Sequence, residues 1–110
     1  MEQQIVISIA KDFGRYPAGR YLADGPYSGQ AFREKLLVPA LNRSNGAVCI
    51  ELDGARGLAS SFLEEAFGGL VREGFDPQTL LERLQLQSDD PTLVQEIKEY
   101  ISSQSSAGSH

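Results

Sequence analysis

Along this chain the apolar positions switch between alternation and a spacing of three to four, and each switch marks the border of an element. Gln3 to Ala10 is rich in Ile and Val and alternates weakly, which predicts a first strand carrying on toward Phe13. Pro17 and Gly19 supply a turn, after which Arg20, Tyr21 and Leu22 are expected to return as a short strand and complete a hairpin. Asp24-Gly25-Pro26 breaks that strand. Ser28 is then the expected N-cap of a helix patterned by Ala31, Phe32, Leu36 and Leu37, which Pro39 kinks or ends near Leu37. Asn42 to Gly46 is a loop. Ala47 to Leu52 is a continuous apolar, β-branched run closed by Asp53-Gly54, the pattern of a strand covered on both faces.

From Ser60 the spacing becomes helical through Phe62, Ala66, Gly69 and Leu70, with Leu63 and Phe67 beside them, and Gly74 is the expected C-cap. Asp76-Pro77 reads as a cap followed by proline at the first helical position, opening a short helical turn through Leu81. Leu84 to Gln87 alternates and is a further core strand. Asp89-Asp90-Pro91 opens a last helix, whose Leu93, Val94, Ile97, Tyr100 and Ile101 form one apolar face expected to pack on the sheet. Ser102 to His110 has no apolar period and is expected to be a disordered tail. The order is strand, strand, helix, strand, helix, strand, helix. It predicts a small α/β domain over residues 1–101, with a mixed, mostly parallel four-stranded sheet, an N-terminal hairpin and three main helices.

Composition narrows the function more than the fold. The chain has 110 residues, 41% of them apolar and 23% charged, which is ordinary for one globular domain. No apolar run approaches the ~20 residues of a membrane span. The first residues carry no basic segment followed by an apolar one, so the expected location is cytoplasmic. The net charge of −5 argues against general nucleic-acid binding. It is unevenly placed: residues 1–46 hold six Lys/Arg against four acids, and residues 47–110 hold four against eleven. The single cysteine, Cys49, lies in the apolar strand and reads as a packed core thiol.

Candidate chemistry gathers where strands give way to helices. Ser61 stands three residues before Glu64, the capping-box spacing, and either Ser60 or Ser61 is the cap. The other hydroxyl is left near free N–H groups and the positive end of the helix dipole, a place that suits a phosphate. Ser28-Gly29 and Ser60-Ser61 both open helices at the carboxyl edge of a parallel sheet. With Arg20 and Arg56 they make a candidate anion-binding constellation for a small anionic or nucleotide-like ligand. Asp53, Glu64 and Glu65 are the acids beside it and the candidate partner surface. Catalysis is not expected, because a serine nucleophile needs a base held by a third group and the one histidine is His110. No metal-ligand spacing and no cofactor motif is present.

The order of elements and the passage Ile50 to Leu70, with Asp53-Gly54, Ser60-Ser61 and Phe67-Gly68-Gly69-Leu70, resemble the STAS fold of anti-sigma-factor antagonists. A nearer resemblance is to STAS-like domains of unknown function, through Asp24-Gly25, Ser28-Gly29, Phe32-Arg33 and the run from Ser60 to Gly68. The resemblance covers the chain to about Ile101. It implies a STAS-like domain acting as a noncatalytic regulatory and protein-interaction module. In the antagonists the loop after this strand reads Asp-Ser-Ser-Gly and its first serine is phosphorylated by a histidine-kinase-like ATPase. Ser60 matches that phospho-acceptor and Ser61 its neighbour, whereas Ala59 and Phe62 stand where the antagonists have the acid and the glycine. The implied partner is an ATPase of the anti-sigma kinase type.

Overall fold

A computed structural model describes the backbone of residues 4–107 and the side chains of residues 4–104. Three strands, β1 (Ile5–Ser8), β2 (Val48–Glu51) and β3 (Leu84–Gln87), form one sheet in that order, with both pairs parallel. Helix α1 (residues 29–43) joins β1 to β2. Between β2 and β3 run α2 (residues 60–72) and the two-turn α3 (Pro77–Arg83), and α4 (Pro91–Ala107) closes the chain. None of these helices is long and apolar enough to cross a membrane.

The register aligns Ile5, Val48 and Leu84, and again Ile7, Ile50 and Leu86, so one face of the sheet carries the apolar set. Onto it pack Phe32 and Leu37 of α1, Phe62, Phe67 and Leu70 of α2, and Ile97 and Ile101 of α4. The opposite face carries Val6, Cys49 and Gln85. Cys49 is buried in the middle strand and burial pushes its thiol up, as a packed cysteine requires. Val6 is 52% exposed on the edge. Val48, Cys49 and Ile50 of the middle strand are therefore buried, while this second face stays open at the edges.

Four expectations are corrected. The hairpin does not form, and the described sheet has three strands, all parallel, instead of four. The N–H groups of Arg20 and Tyr21 donate to the Asp24 carboxylate at 3.1 and 3.0 Å. The carbonyls of Gly19 and Arg20 accept from the N–H groups of Gly29 and Gln30, each at 3.0 Å. A backbone so occupied has nothing to offer a neighbouring strand.

β1 also stops short of Phe13. The Asp12 carboxylate accepts from the Ser8 N–H at 2.7 Å and the Ser8 hydroxyl accepts from the Lys11 N–H at 3.2 Å, which folds Ile9–Phe13 into a π turn.

Pro39, third, does not end α1 at Leu37. Residues Arg33–Leu37 form a π turn in which the Val38 N–H reaches back to Arg33, and Pro39 enters at the start of the α-helical segment that follows. A proline there removes an N–H that the restarted helix does not use.

Finally, α4, whose Ile97 and Ile101 join the core, continues through residues 102–107, which were expected to be a disordered tail. Residues 108–110, with His110, lie outside the described residues. Gly74, at φ +111°, follows the end of α2 in the conformation that favours glycine, and Asp76 caps α3 by accepting from the Thr79 N–H at 2.9 Å.

Candidate functional site

At the start of α1 all the free N–H groups are occupied. Ser28 is fully buried and its hydroxyl caps the helix, accepting from the Ala31 N–H at 3.1 Å. Gly29 and Gln30 donate to Gly19 and Arg20, and Phe32 donates to the Ser28 carbonyl at 3.0 Å. A β-carbon at Gly29 would overlap the Phe62 carbonyl, so this position is glycine because α1 and α2 touch there. Ser28 and Gly29 are structural residues.

The start of α2 differs. Ala59 is the residue preceding its first turn and no side chain caps it, so the box expected between Ser61 and Glu64 is not formed. Glu64 faces elsewhere. It accepts from Arg20 Nη1 at 2.5 Å, Arg72 Nη1 at 2.7 Å and Gln104 Nε2 at 2.9 Å. Burial alone would raise its carboxyl, but the bonds from Arg72 and then Arg20 outweigh that and hold it below its ordinary range. Ser60 is exposed and donates its hydroxyl to Glu96 Oε2 of α4 at 2.7 Å, the same oxygen that receives the Tyr100 hydroxyl at 2.5 Å. Ser61 is half-buried. Ser61→Ala is accordingly expected to shift stability by no more than about 0.5 kcal/mol, whereas Ser28→Ala should cost ~1–2 kcal/mol as a lost buried cap. Urea midpoints of the two variants check both values.

Behind Glu64 lies a buried ion network that the expectations from sequence did not include. Arg33, 6% exposed, points across from α1 to α2, where its Nη1 donates to the Glu65 carbonyl at 2.5 Å and to Glu65 Oε2 at 2.7 Å. Its Nε donates to Glu73 at 2.5 Å. Arg72 Nη2 and Arg20 Nη1 lie 3.1 and 3.7 Å from the other Glu65 oxygen. Arg20 is thus a partner of carboxylates, and Glu65, also 6% exposed, is interior and not part of a partner surface. The signals were there to read: Arg33 stands four residues from both Gly29 and Leu37, on the inward stripe of α1, and Gly68-Gly69 interrupts the α2 pattern. A β-carbon at Gly69 would overlap the Arg33 guanidinium.

Arg56 is placed apart from the other members of the anion constellation. It lines a cleft of about 560 Å³ at the carboxyl ends of the strands, together with Lys11 and Arg15 from the connection after β1. Its N–H donates to the Arg15 carbonyl at 2.7 Å. Asp53 stands at the same edge, where it accepts from the Ser88 hydroxyl at 2.9 Å and the Asp89 N–H at 3.0 Å and so ties the loops after β2 and β3 together. Of the six residues of the expected anion site, Arg20, Ser28, Gly29 and Ser60 have structural or carboxylate partners, Ser61 is half-buried on the first turn of α2, and Arg56 faces the cleft. Among the described residues no group of His, Cys, Asp and Glu is arranged to hold a metal ion.

A three-stranded parallel sheet with its helices on one face, and a loop after the middle strand leading to an exposed serine at the first turn of a helix, define a small α/β domain of the STAS-like class. The chain belongs to the family described as STAS-like domain of unknown function (DUF4325), whose model matches residues 28–93. That match runs from the cap of α1 to the start of α4. No curated protein and no solved structure matches the chain.

Proposed function

We propose that this domain is a noncatalytic, cytoplasmic protein-interaction module whose partner surface is the loop after β2 together with the start of α2, and that phosphorylation of Ser60 switches it. The observation that carries the reading is the use of the Ser60 hydroxyl. It is exposed, it caps nothing, and it donates to Glu96 of the neighbouring helix beside the Tyr100 hydroxyl. A phosphoryl group on Ser60 takes the place of the donated hydrogen and sets nearly two negative charges against that carboxylate. The same group sits at the amino end of α2, where the helix dipole favours it. Phosphorylation thus strengthens the start of α2 while breaking its tie to α4, and the surface changes both charge and shape. The partner supported by the family resemblance is a protein, an ATPase of the histidine-kinase-like class. A carboxylate is too weak a base to ionise a serine hydroxyl alone, which supports a switch and not a nucleophile. Anion binding at the two helix starts lacks similar support, because the N–H groups of α1 are occupied and Ser60 faces a carboxylate.

The test is a pull-down of the wild-type chain, Ser60→Ala and Ser60→Glu from the native host, with the intact mass of each bait read in the same samples. The expected result is a wild-type bait heavier by one phosphate mapped to Ser60, and an ATPase whose recovery differs between the Ala and Glu variants. An unmodified bait with equal recovery from all three chains would sink the proposal.

A further inference from the structure

We propose that the cleft at the carboxyl ends of the strands is a binding site for a small phosphate ester that carries hydroxyl groups, of the size of a sugar phosphate. The cleft shares the loop after β2 with the proposed partner surface but does not include Ser60, and ligand binding here is tested without reference to phosphorylation of that serine.

The floor of the cleft follows from the register. Ser8, Glu51 and Gln87 are the last residues of β1, β2 and β3 and are paired across the sheet, so their side chains share one face. Alternation puts them on the face of Val6 and Cys49, opposite the main apolar core, and at the end of a parallel sheet where α/β folds take ligands. The volume, about 560 Å³, lies within the range of small-molecule sites.

The rim is basic in a chain whose net charge is −5. Arg20, Arg33 and Arg72 are each matched to carboxylates. Lys11, Arg15 and Arg56 are different: no carboxylate among the described residues pairs with any of them, and the bond from the Arg56 N–H to the Arg15 carbonyl ties together the two backbone segments that carry the arginines. Two guanidinium groups lining one cleft without a carboxylate partner make its rim electropositive, and a phosphate placed there can accept fork-shaped hydrogen bonds from them.

The floor selects what the phosphate is attached to. Glu51 is half-buried and its carboxylate has no hydrogen bond or ion pair among the described residues, and the Gln87 amide is likewise unengaged. The Ser8 hydroxyl accepts from the Lys11 N–H and keeps its own hydrogen to donate. These groups suit hydroxyls, and a bare phosphate seated deep in the cleft would meet the Glu51 charge unrelieved. Asp53 is already engaged by Ser88 and Asp89, leaving Glu51 as the open carboxylate.

The experiment is an amide NMR titration of the full chain with ribose 5-phosphate, ribose, inorganic phosphate and a phosphoserine peptide. Ribose 5-phosphate is expected to shift amides of residues 8–16 and 51–57 and to bind at least about tenfold more tightly than ribose or inorganic phosphate. The double variant Arg15→Gln/Arg56→Gln, changed at two exposed side chains, should weaken it at least about tenfold with an unchanged melting temperature. Glu51→Gln should narrow the gap between the ester and inorganic phosphate. No shifts at millimolar ribose 5-phosphate, shifts centred elsewhere, undiminished binding by the double variant, or preference for the phosphoserine peptide would each overturn the assignment.

Discussion

Replacing Arg33 by methionine is expected to destabilise the fold by about 3–5 kcal/mol. The substitution keeps much of the side chain's length and apolar stem, so what is lost is the charge. Glu65 then keeps an interior carboxylate whose nearest partner is gone, and its remaining cations, Arg72 and Arg20, reach only its other oxygen, at 3.1 and 3.7 Å. The Glu65 carbonyl, in the middle of α2, also loses the donor that reaches it from α1. Stranding a buried charge costs far more than an exposed ion pair contributes, because the desolvation penalty stays while the attraction disappears. Arg33→Met/Glu65→Met should recover a substantial part of the loss, since two apolar side chains of similar length leave neither charge stranded. Guanidinium denaturation of the wild type, the single and the double variant measures both effects. A single-variant loss below about 1 kcal/mol, the level of a surface pair, would show that water reaches the network.

The elements that local chemistry controls were legible from the sequence. β2 is a continuous apolar run, α2 carries its own apolar stripe, and Asp76 and Ser28 cap by bonds that span three residues. Elements decided by distant groups were not. Arg20 to Leu22 has the composition of a strand. Its backbone is nonetheless consumed by Asp24 and by the first turn of α1, a choice made when α1 docks. The Ser61/Glu64 pair has the spacing of a capping box, yet the Glu64 carboxylate finds Arg20, Arg72 and Gln104, which are 44, 8 and 40 residues away in sequence. Charge-assisted bonds to two guanidinium groups outweigh a neutral bond to one backbone N–H.

The same reason separates the two parts of the candidate site. Ser60 was recognisable because its position depends on the strand, the loop and the helix start that surround it in sequence. The cleft was not, because Lys11 and Arg15 stand about 40 residues from Arg56 and meet it only through the parallel pairing of β1 with β2. Charge counts hinted at a basic N-terminal half, but only the register converts that bias into a place.

Phe67→Ala is the second large effect, an expected loss of ~3–5 kcal/mol. Phe67 is fully buried on the face of α2 that meets α1 and the sheet, and its ring meets Phe32 edge-on with centroids 6.3 Å apart and planes at 61°. Phe32 in turn packs on Phe62 and Phe13, so one ring anchors a chain of aromatic contacts from the middle of α2 to the connection after β1. The gap left by alanine cannot close readily. α1 and α2 already touch at Gly29, where a β-carbon would overlap the Phe62 carbonyl, and at Gly69, where the Arg33 guanidinium fills the space. With both helices held at their points of contact, the cavity persists and its full cost is felt. Phe67→Leu, which refills most of the volume, should lose less than half as much. Thermal and urea denaturation of the three chains measures the series, and equal losses for the Ala and Leu variants would show that ring geometry, and not filled volume, is what this position supplies.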